Sequence, residues 1–257
     1  MEDNIQPNKK QPPYSSSSSS FIIYKTDAFA ITVNNETGIF RIQFAYSSPE
    51  TARSLLKTKL IQGGTSTDNY KVIQFKANSV RSLAQFRSEL KSSTGAPTLP
   101  ISIAAHMTAC LTKQLDHLIS HESRTIIGYS AEDIIVINNQ KFAYLGSEFL
   151  TKIDYTNNTT QLCSPFTSAD FFVSPELLKI TELPAQVHYK TAYFSLACLI
   201  VFGLLDSQDF YTEYLRDKQA SNILSALQSH PIHGTKLYWL LSRCLLEDPE
   251  KRSILLI

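Results

Sequence analysis

The chain has 257 residues, of which 43% are hydrophobic, and this length is sufficient to bury a substantial core. Its 24 Lys and Arg residues nearly balance its 23 Asp and Glu residues, which leaves a formal net charge of +1. Because so small a net charge creates no general attraction for nucleic acids or anionic membranes, we expect neither of them as a partner.

The first 20 residues, Met1–Ser20, are polar and end in six consecutive serines. They carry too few apolar side chains to offset the entropy lost on folding, so the composition predicts a disordered tail followed by one folded domain at residues 21–257. This opening contains no secretory signal. The longest apolar stretch, Tyr193–Leu205, is about thirteen residues long, which predicts a buried core helix because a membrane span needs roughly twenty.

Four cysteines are widely spaced along the chain and form no Cys-x-x-Cys pair; they are Cys110, Cys163, Cys198 and Cys244. This usage is typical of buried free thiols and not of disulfides or a zinc site. We therefore expect the protein to be intracellular, in the reducing environment of the cytoplasm.

Alternating apolar and polar residues after Phe21 predict β-strands. Residues 29–33 and 39–44 flank the turn-forming segment Asn34–Gly38, which predicts an antiparallel hairpin. Ser47–Glu50 is typical of a helix start and predicts a helix through Leu60. A further strand is predicted at Tyr70–Phe75.

The rest of the chain is predicted to contain more helix. A short helix is expected at residues 83–90, a long one at 101–120, and a hairpin from strands 134–137 and 141–144. A loop of about thirty residues is then expected to reach Pro175, with helices in the remainder. A strand-rich first part followed by a larger helical part indicates the α+β class.

Two segments in the second half resemble motifs of protein kinases. FFVSPE at residues 171–176 resembles the Ala-Pro-Glu motif of that family, and CLLEDPEKR at 244–252 resembles its closing Leu-x-x-Asp-Pro-x-x-Arg segment. In the family, the Glu of the first motif and the Arg of the second form a buried ion pair. The resemblance therefore implies a structural ion pair between Glu176 and Arg252.

The order of the predicted elements is also similar to that of protein kinases. The resemblance implies a kinase-like two-lobed fold, with a reduced β-rich N-lobe at about residues 21–77 and a helical C-lobe at about 78–257. Lys190–Ala197 resembles the start of the central helix of the large lobe. Ala192 replaces the leading Asp of that helix, which in the family holds the catalytic-loop backbone, so we expect this loop not to be held in its usual form.

The positions that would perform phosphoryl transfer are mostly replaced. Matching Glu132–Ile137 to the Glu-Asn-Ile-Leu of the family places Gly128 at the catalytic base, Ser130 at the following Lys and Asp133 at the magnesium-binding Asn. Tyr144 stands where the metal-binding Asp of Asp-Phe-Gly would be, and a phenol is a poor ligand for magnesium. Asp133 is then the only retained candidate for nucleotide binding, and we expect no catalytic residue and no metal site.

The first part of the chain also lacks the phosphate-binding features of a kinase. The strand lysine falls on Arg41 or Gln43, and no Gly-x-Gly-x-x-Gly occurs. Treating Val72–Lys76 as the lysine-bearing strand would restore a lysine, but it leaves too little chain before the long helix for the remaining elements.

The leading hypothesis is a pseudokinase, a catalytically inactive scaffold or allosteric regulator that binds a protein partner, such as an active kinase or its substrate, and needs no cofactor. Its degraded motifs, shortened small lobe and polar tail are similar to those of kinase-like proteins encoded by large DNA viruses. One alternative is a divergent active Ser/Thr protein kinase that uses ATP and magnesium, with Asp133 or Asp154 at the metal site. A further alternative is an unrelated α+β interaction domain.

Overall fold

The computed structural model describes residues 20–166, 171–205 and 220–255. Apart from Ser20, the tail expected at residues 1–20 lies outside this described part. Strands and helices both occur in it, which confirms the predicted α+β class.

A five-stranded antiparallel sheet in the order β1-β2-β3-β5-β4 forms the first part of the fold. Its strands are β1 (Ser20–Lys25), β2 (Phe29–Asn34), β3 (Ile39–Phe44), β4 (Thr65–Thr67) and β5 (Val72–Lys76). The predicted hairpin is confirmed, with Phe29 opposite Phe44 and Asn34 opposite Ile39. Phe40, Ile42 and Phe44 are buried between exposed residues, so alternation gives the sheet one core-facing side.

Three helices lie in the first half of the chain, and the first and the third of them pack against each other. They are α1 (Pro49–Lys57), α2 (Leu83–Thr94) and α3 (Ile101–Glu122). α2 begins with a capping box, in which the Ser82 hydroxyl accepts from the Gln85 N–H and the Gln85 side chain accepts from the Ser82 N–H. It ends at Gly95, which has a φ of 74° and therefore lies in the left-handed region that glycine adopts at little cost.

A three-stranded sheet in the order β6-β8-β9 packs against α3. It consists of β6 (Val80–Ser82), β8 (Ile134–Ile137) and β9 (Lys141–Tyr144), and β7 (Arg124–Ile126) directly follows α3. The predicted β8–β9 hairpin is confirmed, and β6 joins it as a strand that the sequence did not indicate.

A third sheet corrects two of the expectations. β10 (Leu150–Asp154) and β11 (Thr159–Leu162) occupy the expected loop, and β12 (Ala185–His188) interrupts the expected helical remainder. Together with β7 they form a four-stranded sheet in the order β12-β11-β10-β7. The β10–β11 turn is closed by the Asp154 carboxylate, which accepts from the Thr156 N–H at 2.9 Å and the Asn157 side chain at 2.8 Å.

The remaining helices are α4 (Thr191–Leu204), α5 (Ala220–Ser229) and α6 (Lys236–Cys244). α4 is buried on almost all sides, which confirms the predicted core helix. Among the described residues, no helix is both long and apolar enough to cross a membrane. All four cysteines are free thiols, and three of them, on α3, α4 and α6, are buried as expected.

Candidate functional site

Arg252 and Glu176 form a bidentate ion pair. The Arg252 side chain is completely buried, and its two terminal nitrogens donate to the two carboxylate oxygens of Glu176 at 2.6 and 2.8 Å. The structure therefore brings together the two residues that the motif resemblance paired. Planar two-point contact of this kind is the strongest form of side-chain ion pair.

The remaining donors of Arg252 bind the backbone near the C-terminal end of the fold. Its Nε donates to the Leu246 carbonyl at 2.7 Å, and Nη2 also donates to the Glu247 carbonyl at 3.0 Å. The guanidinium lies 5.1 Å from the centre of the Phe194 ring on α4. This one side chain therefore connects Glu176, the central helix α4 and the last described turn.

Gly128, the predicted replacement for the catalytic base, lies directly against the Phe171 ring. A Cβ atom at Gly128 would be 1.8 Å from a ring carbon of Phe171, well inside contact distance. Phe171 is itself held by Phe149, with ring centroids 4.5 Å apart. No side chain therefore fits at position 128 unless Phe171 moves.

We expect Gly128→Ala to lower the free energy of unfolding by about 1–3 kcal/mol, because the new methyl group overpacks the site against Phe171. Urea denaturation of Gly128→Ala, Phe171→Leu and the double variant measures the effect. The alanine should cost less in the Phe171→Leu background, where the smaller side chain can yield. An equal cost in both backgrounds would show that Phe171 is not the obstacle.

Tyr144, the predicted replacement for the metal-binding acid, is fully buried. Gln114 on α3 holds its backbone on both sides: the side-chain oxygen accepts from the Tyr144 N–H, and the side-chain nitrogen donates to the Tyr144 carbonyl, both at 2.9 Å. The Tyr144 ring packs edge-on against Tyr129 at 5.1 Å. Burial, followed by the nearby Asp133 carboxylate, raises the pKa of Tyr144 well above its usual value, so a neutral phenol occupies this position.

The backbone next to Gly128 is held by a residue that the sequence comparison did not single out. The Ser195 hydroxyl on α4 accepts from the Tyr129 N–H at 2.7 Å, and the Tyr129 carbonyl accepts from the Phe172 N–H at 3.1 Å. Ala192, which replaces the expected Asp, is buried and has no polar side chain. The segment is therefore anchored to α4 through Ser195, about one turn beyond Ala192.

An acidic pocket of about 230 Å³ lies beside Tyr144. Its lining includes the carboxylates of Asp27, Glu132, Asp133 and Glu148. Among the described residues, no Lys or Arg lines it. Burial, followed by the neighbouring Glu132 and Glu148 carboxylates, raises the pKa of Asp133 to about 7.

Gly146 lies in the lining of the acidic pocket, between Asp133 and Tyr144. A Cβ at Gly146 would be 2.3 Å from the Tyr144 hydroxyl oxygen and 2.5 Å from Asp133 Oδ2. Any residue with a Cβ at this position would displace one or both of these oxygens. The Tyr144 hydroxyl is buried and has no hydrogen-bond partner among the described residues, which is unusual for a buried polar group.

The other residues singled out in the sequence lie in different places. Ser130 lines the acidic pocket, where its hydroxyl accepts from the Glu132 N–H at 3.3 Å. Arg41 and Gln43 are exposed on the outer side of β3 and do not line the pocket. Asp154 closes the β10–β11 turn and does not line the pocket either, so the structure does not bring it to Asp133.

Sequence reasoning missed Asp27, Glu148, Gln114 and Ser195. Asp27, Glu148 and Gln114 belong to no recognisable motif. Ser195 lies in the segment 190–197 that resembles the start of the central helix, but the sequence assigned it no role, and all four reach the site through the tertiary fold. Within the described residues, no group of three or more His, Cys, Asp or Glu side chains could hold a metal ion. No protein-family model matches the chain, and no curated protein matches its sequence.

Proposed function

We propose that this chain is a kinase-like protein that performs no phosphoryl transfer and acts by binding a protein partner. The observation that carries this proposal is the filling of the reactive positions by packing residues. Gly128 is covered by Phe171, and the buried phenol of Tyr144 stands in place of a metal-binding carboxylate.

The kinase-like part of the proposal is supported by the order of elements and by the ion pair. A five-stranded sheet with one adjoining helix precedes a long helix, a short hairpin, the FFVSPE segment and an apolar central helix. The bidentate contact of Arg252 with Glu176 joins the two motif segments in the way that the resemblance implies.

The absence of phosphoryl transfer follows from what that reaction requires. It needs a carboxylate that orients the attacking hydroxyl, carboxylate or amide ligands for magnesium, and a cation on the nucleotide phosphates. Gly128 supplies no carboxylate, Tyr144 supplies a neutral phenol, and Arg41 does not reach the pocket. Asp133 alone remains, which is too few ligands for a hard cation that prefers six oxygens.

The charge of the acidic pocket also opposes nucleotide binding. Four carboxylates without a basic side chain in the described lining repel the phosphates of ATP. The chemistry of these residues therefore does not fit ATP with magnesium. A protein partner is compatible with this surface, and Trp239 on α6, the only tryptophan of the chain, is 54% exposed and available for a protein contact.

Thermal melting with and without ATP and magnesium, followed by a labelled phosphotransfer assay, tests the proposal. We expect no magnesium-dependent stabilisation by ATP and no transfer to the chain itself or to a general protein substrate. Magnesium-dependent stabilisation together with transfer that Asp133→Ala abolishes would overturn the proposal. Asp154→Ala is the matched control, because Asp154 lies in an exposed turn outside the pocket.

A further inference from the structure

The acidic pocket concentrates negative charge that no described residue neutralises. Asp27, Glu132 and Glu148 are exposed around it, and Asp133 is largely buried within it. The Asp133 side chain makes no hydrogen bond or ion pair with any described residue. A buried carboxylate without a partner is costly, so the pocket is better suited to a bound cation than to being empty.

The buried hydroxyl of Tyr144 is an independent sign of a ligand site. It is completely buried, has no hydrogen-bond partner in the part of the chain that the structure describes, and lies against Gly146, which lines the pocket. Its oxygen and Asp133 Oδ2 converge on the place where a Cβ of residue 146 would be. One of these two oxygens belongs to β9 and the other to the turn before β8. Asp133 lines the pocket and can accept from a group with several N–H donors, and the Tyr144 hydroxyl lies directly behind Gly146 in the lining.

The form of the pocket favours an organic cation over a metal ion. Calcium and magnesium need six or more oxygens at about 2.0–2.6 Å. The described residues contain no group of three metal-ligating side chains, so the carboxylates are spread around the pocket and not gathered on one point. A guanidinium has five donors in a planar fork and can bind several separated oxygens at once.

We propose that the acidic pocket binds the guanidinium group of an arginine side chain presented by a partner protein. The volume of about 230 Å³ fits a single side chain more closely than the 300–1,000 Å³ typical of small-molecule sites. The exposed Asp27, Glu132 and Glu148 would attract a basic segment, and Asp133 would bind the guanidinium inside. This inference rests on the proposed partner-binding function and specifies the chemistry of the partner.

Binding of this kind depends on pH because Asp133 titrates near neutrality. Its pKa is raised to about 7 by burial, then by Glu132 and Glu148, so its protonation changes in the neutral pH range. The other ionisable groups near it are Asp27, which also lines the pocket, and the Tyr144 and Tyr24 phenols. Both phenols stay neutral, because burial raises the pKa of Tyr144 well above its usual value and that of Tyr24 to about 12. A cation therefore binds more tightly as the pH rises through 7.

The test uses a short blocked peptide of glycines with one central arginine, titrated into the full chain and followed by NMR. The matched probe carries citrulline, which has the shape of arginine without its charge. We expect the arginine peptide to bind at least about 10-fold more tightly than the citrulline peptide, because hydrogen bonds between charged groups are the strong ones. Affinity should also rise several-fold between about pH 6 and about pH 8.

Variants locate the binding on the chain. Asp133→Asn and Glu148→Gln should each weaken the arginine peptide by about 5–10-fold, whereas Asp154→Asn should leave its affinity unchanged. Equal binding of both peptides, or an unchanged affinity in Asp133→Asn, would overturn the proposal. If free arginine binds as tightly as the peptide, the pocket is a small-molecule site. If magnesium or calcium displaces the peptide, the pocket is a metal site. Either result would overturn the proposed arginine side-chain site.

The experiments distinguish a failure of the proposed arginine site from a failure of the proposed function. Phosphotransfer by the chain would overturn the absence of catalysis whatever the peptides do. A chain that neither transfers phosphate nor binds the arginine peptide would keep the proposed function and lose only this specific site.

Discussion

Glu176→Ala should lower the free energy of unfolding by about 3–5 kcal/mol. The substitution leaves the Arg252 guanidinium completely buried without its anionic partner. Arginine cannot escape this cost by losing its proton, because its pKa lies far above physiological pH. The backbone carbonyls that also accept from Arg252 compensate only part of the charge.

A double-mutant cycle isolates the ion pair in urea denaturation. Arg252→Met should also destabilise the fold, because it leaves Glu176 and three backbone carbonyls without this donor. The double variant should be less destabilised than the sum of the two single costs, because removing both charges leaves neither one unpaired. Additive costs would contradict an energetic coupling between these residues.

The neighbouring pair of Lys251 and Asp248 provides the matched control. Their charged atoms lie 3.1 Å apart, but the Lys251 side chain is 73% exposed. Because exposed ion pairs contribute about 0–1 kcal/mol, Lys251→Ala should change stability far less than Glu176→Ala. A similar loss in both variants would show that burial does not determine the strength of these contacts.

Asp133→Asn should make the protein more stable than the wild type at about pH 8, by about 2–4 kcal/mol, with the two proteins converging near pH 4. Burial raises the pKa of Asp133 from 3.8 to about 7, so between these values the folded state binds more protons than the unfolded state. This group therefore reduces stability as the pH rises through that range, and the loss is complete above the folded-state pKa. The lower end of the estimate allows for partial contact with solvent.

Chemical denaturation of both proteins across this pH range measures the difference. Asp154 is a control of opposite sign, because hydrogen bonds from Asn157 and Thr156 lower its pKa. Asp154→Asn should therefore be less stable than the wild type above the unfolded-state pKa of Asp, with the difference lost as the pH falls below the lowered folded-state pKa. Parallel stability curves for Asp133→Asn and the wild type would show that Asp133 has no raised pKa.

Strong local patterns were sufficient to predict the main elements. The alternation around Asn34–Gly38 gave the β2–β3 hairpin, and the long apolar periodicity after Pro100 gave α3. The third sheet was missed because its strands are three to five residues long and β12 is added to β11 from a distant part of the chain. Short strands carry weak local signals, and their pairing depends on what the tertiary fold places beside them.

For the candidate site, the sequence by itself determined that positions 128 and 144 offer no carboxylate, because Gly128 and Tyr144 have none in any conformation. It also indicated the ion pair of Glu176 and Arg252 through two motif segments. Only the tertiary structure decided that Phe171 covers Gly128 and that four carboxylates from separate segments surround one pocket. The physical reason is that packing and electrostatic potential depend on distances in space, and residues far apart in the chain set those distances only after folding.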